Sequence, residues 1–225
     1  MLCSHEKKFV YLKTRKTAGT SVEIFFERFC LPPGQFRETH WTNQIITQAG
    51  IVGARGQWLV QPQFYNHMPA SEVRNILGRE IFDSYFKFCT MRNPFDKIVS
   101  HFWRKTLLAG EVGPDFSNEP FSKIKRRFTD YVLHRFRFDG FNDRMIFMID
   151  GHSVIDEFIR YEHLITDVEQ VCKALGIEIS VKLLGNYKSG LRKRQEHFSE
   201  YYDPLTKGLV ERGFGWEINR FGYSL

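Results

Sequence analysis

Apolar and β-branched residues fill Phe9 to Leu12, small and hydroxyl-bearing residues crowd positions 17 to 21, and Val22, Phe25, Phe26 and Phe29 then recur at helical spacing. That order predicts a short buried strand, a tight turn and a helix ending near Cys30. Leu31-Pro32-Pro33-Gly34 is a break. Residues 31–65 then lack sustained periodicity and are rich in Gln, Gly and Thr, with only Trp58 to Val60 resembling a strand fragment. An irregular segment of this length inside a compact domain is often functional. His40 and Trp41 within it are candidates to face a substrate.

Ser71 to Gly78 reads as a helix with Ser71 as N-cap and Gly78 at its end. Tyr85 to Met91 is a second apolar strand, which runs through Arg92-Asn93-Pro94 into a helix reaching Trp103 or beyond. Two strands, each followed by a helix, predict a parallel sheet with right-handed crossovers. A loop over 109–120 precedes a basic helix over 121–137. Met145 to Ile149 and Ser153 to Ile159 flank Asp150-Gly151 and read as a hairpin. A helix over 163–175 closed by Gly176, a basic glycine-containing loop over 188–194 and two short helices over 201–212 and 216–221 complete the chain. With no internal repeat and no boundary signal, the expected architecture is α/β, one domain over 1–225 with a central parallel sheet flanked by helices.

Composition narrows the ligand. A net charge of +6 favours acidic ligands. The basic clusters at Lys123 to Arg127 and Arg192 to Arg194 lack zinc-finger spacing and any RNA-binding aromatic signature, so no nucleic-acid partner is expected. The four cysteines form no C-x-x-C, and Cys89 and Cys172 sit in apolar runs as core residues. No apolar run approaches the ~20 residues of a membrane span. A first strand by residue 9 leaves no room for a leader, and a cytoplasmic location is expected.

The candidate chemistry lies in two places. Lys16-Thr17-Ala18-Gly19-Thr20-Ser21 stands between strand and helix, where turn N–H groups and the helix N-terminus favour a phosphate-like anion. Lys16 adds a full charge, and Thr17, Thr20 and Ser21 add hydroxyls. The nucleotide P-loop has its lysine after the glycines, whereas Lys16 precedes Gly19, so an ordinary ATP or GTP loop fits poorly. The second place is Arg92, at a strand end, with Ser100 two helical turns on and on nearly the same face. An arginine fork with a serine hydroxyl suits a second phosphate.

Taken together, Lys16 to Ser21 and the strand–Arg92-Asn93-Pro94–helix with Ser100 resemble sulfotransferases that use 3′-phosphoadenosine 5′-phosphosulfate (PAPS). The likeness covers residues 9–30, 64–104 and 160–223, and is closest to a bacterial branch related to carbohydrate 2-O- and 6-O-sulfotransferases. His67 to Arg74 and Glu217 to Tyr223 also look like that branch. The resemblance implies a P-loop-type α/β domain with the 5′-phosphosulfate loop after the first strand. Lys16, Thr17, Ala18, Gly19, Thr20 and Ser21 would hold the 5′-phosphosulfate, and Arg92 and Ser100 the 3′-phosphate. Lys188, Ser189, Gly190 and Arg192, within a C-terminal segment 186–225, would close over the nucleotide. Where relatives carry Pro before the motif lysine, this chain has Arg15, with Lys13 nearby.

The implied reaction moves a sulfuryl group from PAPS to a hydroxyl of a saccharide or small metabolite, leaving 3′,5′-adenosine bisphosphate, by in-line displacement and with no metal. Lys16 would stabilise the leaving phosphate. A histidine base would take the acceptor proton. His67 is placed for it, with His40 or a carboxylate such as Glu72 as alternatives. The compact chain favours a small or terminal acceptor. Two rival readings are a P-loop-like kinase, which lacks Gly-Lys-[Ser/Thr] here, and a non-catalytic module for polyanions.

Overall fold

The computed structural model describes residues 1–56, 60–108, 116, 118–185, 192 and 194–225. Strands β1 (Leu2–Ser4) and β2 (Phe9–Leu12) precede helix α1 (Gly19–Glu27), followed by β3 (Ile45–Ile46) and β4 (Gly50–Val52). Helices α2 (Ala70–Leu77) and α3 (Arg79–Ser84) lead to β5 (Phe86–Met91), and α4 (Pro94–Leu108) and α5 (Phe121–Asp130) follow. Then come α6 (Arg144–Phe147), β6 (Met148–Ile149), β7 (His152–Ser153), β8 (Glu157–Arg160), α7 (Leu164–Ala174), α8 (Pro204–Gly213) and α9 (Gly215–Phe221). The chain divides into two compact units, Met1–Met91 with Asp143–Tyr187, and Arg92–Asn142 with Lys188–Leu225.

The first unit is built on a six-stranded sheet of order β3-β4-β1-β2-β5-β8. β2 pairs β5 in parallel, Phe9 opposite Phe86, and β5 pairs β8 in parallel, Phe88 opposite Glu157. β1 runs antiparallel to both β2 and β4, and β3 antiparallel to β4. The sheet is therefore mixed rather than wholly parallel, and the Lys16 loop follows the second strand rather than the first. The three residues of β1 are too few to show a hydrophobic period. Their turn into β2 closes through Lys8, which takes a positive φ of 50°.

All four residues of β2 are buried because both faces of this central strand are covered. Phe9, Tyr11 and Phe88 from the strands pack with Phe25 and Phe26 of α1, and Val168, Val171 and Cys172 of α7 join the same cluster. Fully burying each such ring or branched side chain stabilises by roughly 1.5–3 kcal/mol. All four cysteines are buried and outside any disulfide.

Several local expectations change. β3 and β4 lie inside the stretch expected to be irregular, where they extend the sheet through β1. Of the Trp58 to Val60 fragment, residues 58 and 59 lie outside the described residues, and Val60 is exposed. Ser71 sits within α2, whose N-cap is Pro69, while Gly78 ends the helix with φ 84°. Residues 144–147 form the helical turn α6 instead of a strand, since Asp143 enters left-handed at φ 60° and its carbonyl accepts Ile146 N at 2.8 Å. The hairpin shrinks to β6 and β7 around Asp150-Gly151, both at positive φ as its tight turn requires, and β8 joins the large sheet.

The second unit has its own aromatic core, in which Ile98, Val99, Phe102 and Trp103 of α4 pack with Phe128, Tyr201 and Tyr202. Trp103 Nε1 donates to Tyr201 Oη at 3.1 Å, and Tyr202 Oη donates to the Phe95 carbonyl at 2.8 Å. Pro94 opens α4 and Asn93 caps it, its Oδ1 accepting Phe95 N at 3.0 Å. The basic helix expected over 121–137 ends as α-helix at Asp130 and continues as a π turn, Tyr131–Arg135, closed by Phe136 N donating to Tyr131 O at 2.9 Å. The wider turn buries Tyr131, Val132 and Phe136 together while Leu133, His134 and Arg135 stay exposed.

Candidate active site

The loop after β2 is held by three separate attachments. Beneath it, Lys13 is buried and pairs with Glu23 of α1 at 2.5 Å. Arg55 reaches Glu23 at 3.5 Å and Glu27 at 2.5 Å, and the amino terminus stands 3.6 Å from Glu23. Burial lowers the Lys13 pKa, and Glu23 opposes that shift. Burial works against the Glu23 charge as well, but Lys13 and the other cations hold its pKa below the usual carboxylate value.

A hydroxyl cluster ties the loop to β5. Thr14 Oγ1 donates to the Thr90 carbonyl and lies 2.8 Å from Thr17 Oγ1, which in turn lies 2.7 Å from Thr90 Oγ1. Tyr11 Oη sits 3.2 Å from Thr90 Oγ1 and donates to the Gly19 carbonyl at 3.3 Å. The Thr17 hydroxyl is thus turned into the protein. Its backbone, with Thr20, Ser21 and the loop N–H groups, remains the anion-facing candidate.

The third attachment is Asp143, 2% exposed, whose carboxylate accepts Arg15 N at 2.8 Å and Arg15 Nη1 at 2.8 Å. Lys13 and Arg15 are both committed to carboxylates, and half-buried Lys16 is the third cation of the loop.

Backbone conformation concentrates here too. Lys16 and Ala18 have φ of 62° and 59°, with Thr17 between them outside the positive-φ set. Left-handed residues alternating with right-handed ones are the backbone pattern of anion nests, and Lys16 and Ala18 supply two left-handed positions. Gly19 starts α1 where a Cβ would lie 3.0 Å from Lys13 Cγ and 3.1 Å from Tyr11 Oη, so a larger residue would crowd the turn. Among the described residues, six non-glycine positions have positive φ, and four of them are Lys16, Ala18, His67 and Asp143. Each costs about 1–3 kcal/mol, and such strain gathers where function requires it.

His67 is brought to this loop by the fold. Its Nδ1 lies 3.0 Å from the Lys13 carbonyl oxygen, 54 residues earlier. A carbonyl can only accept, so Nδ1 carries the proton and Nε2 keeps its lone pair. Burial, aided by the nearby Lys13 charge, lowers the His67 pKa to about 4, so the ring is neutral at neutral pH.

The alternative bases are placed differently. Glu72 accepts Tyr65 Oη at 2.7 Å, and burial with this bond lifts the Tyr65 pKa to about 12. His40 is exposed, and Trp41 is 69% exposed with its ring against Gly56. Their segment is linked to the ionic cluster through Arg55 Nη2, which donates to the Thr39 carbonyl at 3.0 Å.

Within the second unit, Arg92 Nε and Nη2 donate to Asp96 Oδ2 at 2.9 and 2.6 Å. Arg192 Nη1 approaches the other oxygen of Asp96 at 3.4 Å, its Nη2 donates to the Glu196 carbonyl, and its Cζ lies 5.4 Å from the Tyr201 ring centroid. Two guanidinium groups share one carboxylate. Ser100 is half-buried one turn beyond Asp96 on the continuous α4 helix. Lys188, Ser189 and Gly190 lie outside the described residues. Asp96 escaped the sequence reading although its i, i+4 spacing from Arg92 is a visible signal. Asp143, 128 residues from Arg15, carries no such signal.

The fold is α/β, a mixed sheet with a parallel core β2-β5-β8 flanked by helices, and a loop with left-handed residues follows the buried strand β2. The family model described as the sulfotransferase family matches residues 1–224, and the chain belongs to that family. It is accordingly a transferase of sulfuryl groups, which sets aside the kinase and the non-catalytic readings. An uncharacterized protein of Archaeoglobus fulgidus is 30% identical over 119 residues, covering 52% of this chain and 90% of that protein. No solved structure matches the chain. Among the described residues no helix is long and apolar enough to cross a membrane.

Proposed function

We propose that the protein transfers a sulfuryl group from PAPS to a hydroxyl of a saccharide or small metabolite, with His67 as general base and Lys16 as the leaving-group cation. The observation that carries this reading is His67, held through Nδ1 by the Lys13 carbonyl beside the strained Lys16 loop. Bound PAPS supplies a sulfur already attached to a good leaving group.

Residues 16–21 receive the 5′-phosphosulfate, for which the alternating backbone and the Lys16 charge are suited. His67 Nε2 takes the acceptor's proton as the acceptor oxygen bonds to sulfur. The bond from sulfur to the bridging phosphate oxygen breaks, and its electron pair stays on that oxygen, where Lys16 offsets the new charge. Arg92 and Ser100 receive the 3′-phosphate. Arg92 and Arg192 both reach the Asp96 carboxylate, and two guanidinium groups gathered at one place suit a phosphate. Lys188, Ser189, Gly190 and Arg192 close the nucleotide site, and His40 and Trp41 face the acceptor. The carbohydrate 2-O- and 6-O-sulfotransferase branch is the group whose acceptors fit this reading.

Calorimetric titration with 3′,5′-adenosine bisphosphate, beside ATP and 5′-AMP, tests it. Preferential binding of the bisphosphate is expected. Equal or tighter binding of ATP would overturn the cofactor assignment.

A further inference from the structure

The second unit contains a cleft of about 590 Å³ that none of the proposed catalytic or cofactor residues lines. That volume lies in the range of small-ligand sites. One wall comes from α4 through His101, Phe102 and Lys105, and the other from the end of α5, the π turn and the segment up to Phe141.

Its chemistry is two-sided. Lys105, Arg127, Arg135 and Arg137 face a single carboxylate, Asp130. Arg127 also reaches Glu119 at 3.7 Å, so the excess charge is drawn from the exposed Lys105 and Arg137. The remaining lining is aromatic, with Phe102, Tyr131, Phe136 and Phe141. His101 Nδ1 bonds Tyr131 Oη, and its ring lies 4.4 Å from Phe141 and 5.8 Å from Phe136 between centroids, which fixes these rings as one surface. The π turn is the reason both kinds of group meet, since it turns Tyr131 and Phe136 inward and leaves Arg135 outside. Such turns often mark functional sites.

We propose that this cleft binds a small molecule joining a flat or apolar ring face to at least one anionic substituent. The ring face lies on the aromatic surface, and the anion meets Lys105 and Arg137. An acidic sugar and an aromatic acid share this chemistry. The inference goes beyond the proposed sulfuryl transfer and depends on none of its residues.

The test is titration calorimetry of the full chain with two probes, a sulfated glucosamine–uronate disaccharide and 2-naphthoate. Chitobiose and 2-naphthalenemethanol are their neutral controls. At least one anionic probe is expected to bind about tenfold or more tighter than its control, and more weakly as salt is raised. The probe that binds identifies the source. The double variant Lys105→Glu/Arg137→Glu, at exposed positions and checked by its thermal melt, is expected to lose binding by about tenfold or more. Lys16→Ala is expected to keep it. Absence of binding by both probes, or binding that survives the double reversal, overturns the proposal. Bisphosphate titration of the same double variant reports separately on the nucleotide site.

Discussion

His67 Nδ1 donates to the carbonyl of Lys13 at 3.0 Å, so the imidazole is oriented by the backbone of the loop it would serve. The same Lys13 sends its ammonium in the other direction, to buried Glu23. One residue therefore fixes the histidine with its main chain and the loop with its side chain.

Replacing His67 by Asn tests the base. Asn tolerates the left-handed backbone at this position and offers an N–H to the Lys13 carbonyl, but has no basic lone pair. Turnover is expected to fall by about 10²–10⁴-fold with little change in folding. Activity of the wild-type enzyme should stay level across neutral pH and decline only as pH approaches the His67 value of about 4. Steady-state rates from pH 4 to 8 would check both points, and an inflection near pH 6.5 would sink the assignment.

The depressed His67 pKa also links stability to pH. An unfolded histidine titrates near 6.5 while the folded one titrates near about 4, so between these values the unfolded state binds more protons. Stability should therefore fall as pH drops from about 6.5 to about 4, by up to roughly 3 kcal/mol. Urea unfolding of wild type and His67→Asn at pH 7 and 5 would reveal it. Equal pH slopes in the two proteins would contradict the shift.

Lys13 and Lys16 separate structure from chemistry. Lys13→Met leaves Glu23 buried without its closest cation and should cost about 3–5 kcal/mol, read from chemical denaturation. The amino terminus and Arg55 remain near Glu23, which favours the low end. Lys16→Ala should keep the melting temperature and lose about 10²–10³-fold in turnover. A stable, active Lys16→Ala would remove Lys16 from the mechanism.

Asp143→Ala removes the acceptor of two Arg15 hydrogen bonds and places Ala at φ 60°. A loss of roughly 2–4 kcal/mol is expected. Asp143→Asn keeps the acceptor and the backbone tolerance and should recover more than half of it. Thermal melts of the two variants would compare them.

Asp96 competes with any anion for Arg92 and Arg192. Asp96→Asn is expected to tighten 3′,5′-adenosine bisphosphate binding about three- to tenfold at low salt, and Arg92→Ala to weaken it about tenfold or more. Calorimetry would decide, and weaker binding by Asp96→Asn would mean that the carboxylate positions the arginines instead of restraining them.

The amino-acid sequence by itself determined the features that are local. The buried strand at Phe9, the small-residue loop, Asn93-Pro94 opening α4 and the glycine ends at Gly78 and Gly176 all follow from patterning, capping and turn chemistry within a few residues. The paired Lys16 and Arg92 motifs are legible for the same reason, since each is a contiguous stretch with its own strand and helix. Tertiary structure alone decided what depends on distant partners. Only folding turns Lys13 inward to Glu23, ties Arg15 to Asp143, sets His67 on the Lys13 carbonyl and turns the Thr17 hydroxyl to Thr90. It also decided that β1 and β4 make the sheet mixed and that the basic helix yields to a π turn at Tyr131. A short strand pairs with whichever edge the packed chain offers, and a buried charge takes whichever opposite charge lies within reach. Neither choice leaves a period or a spacing in the sequence.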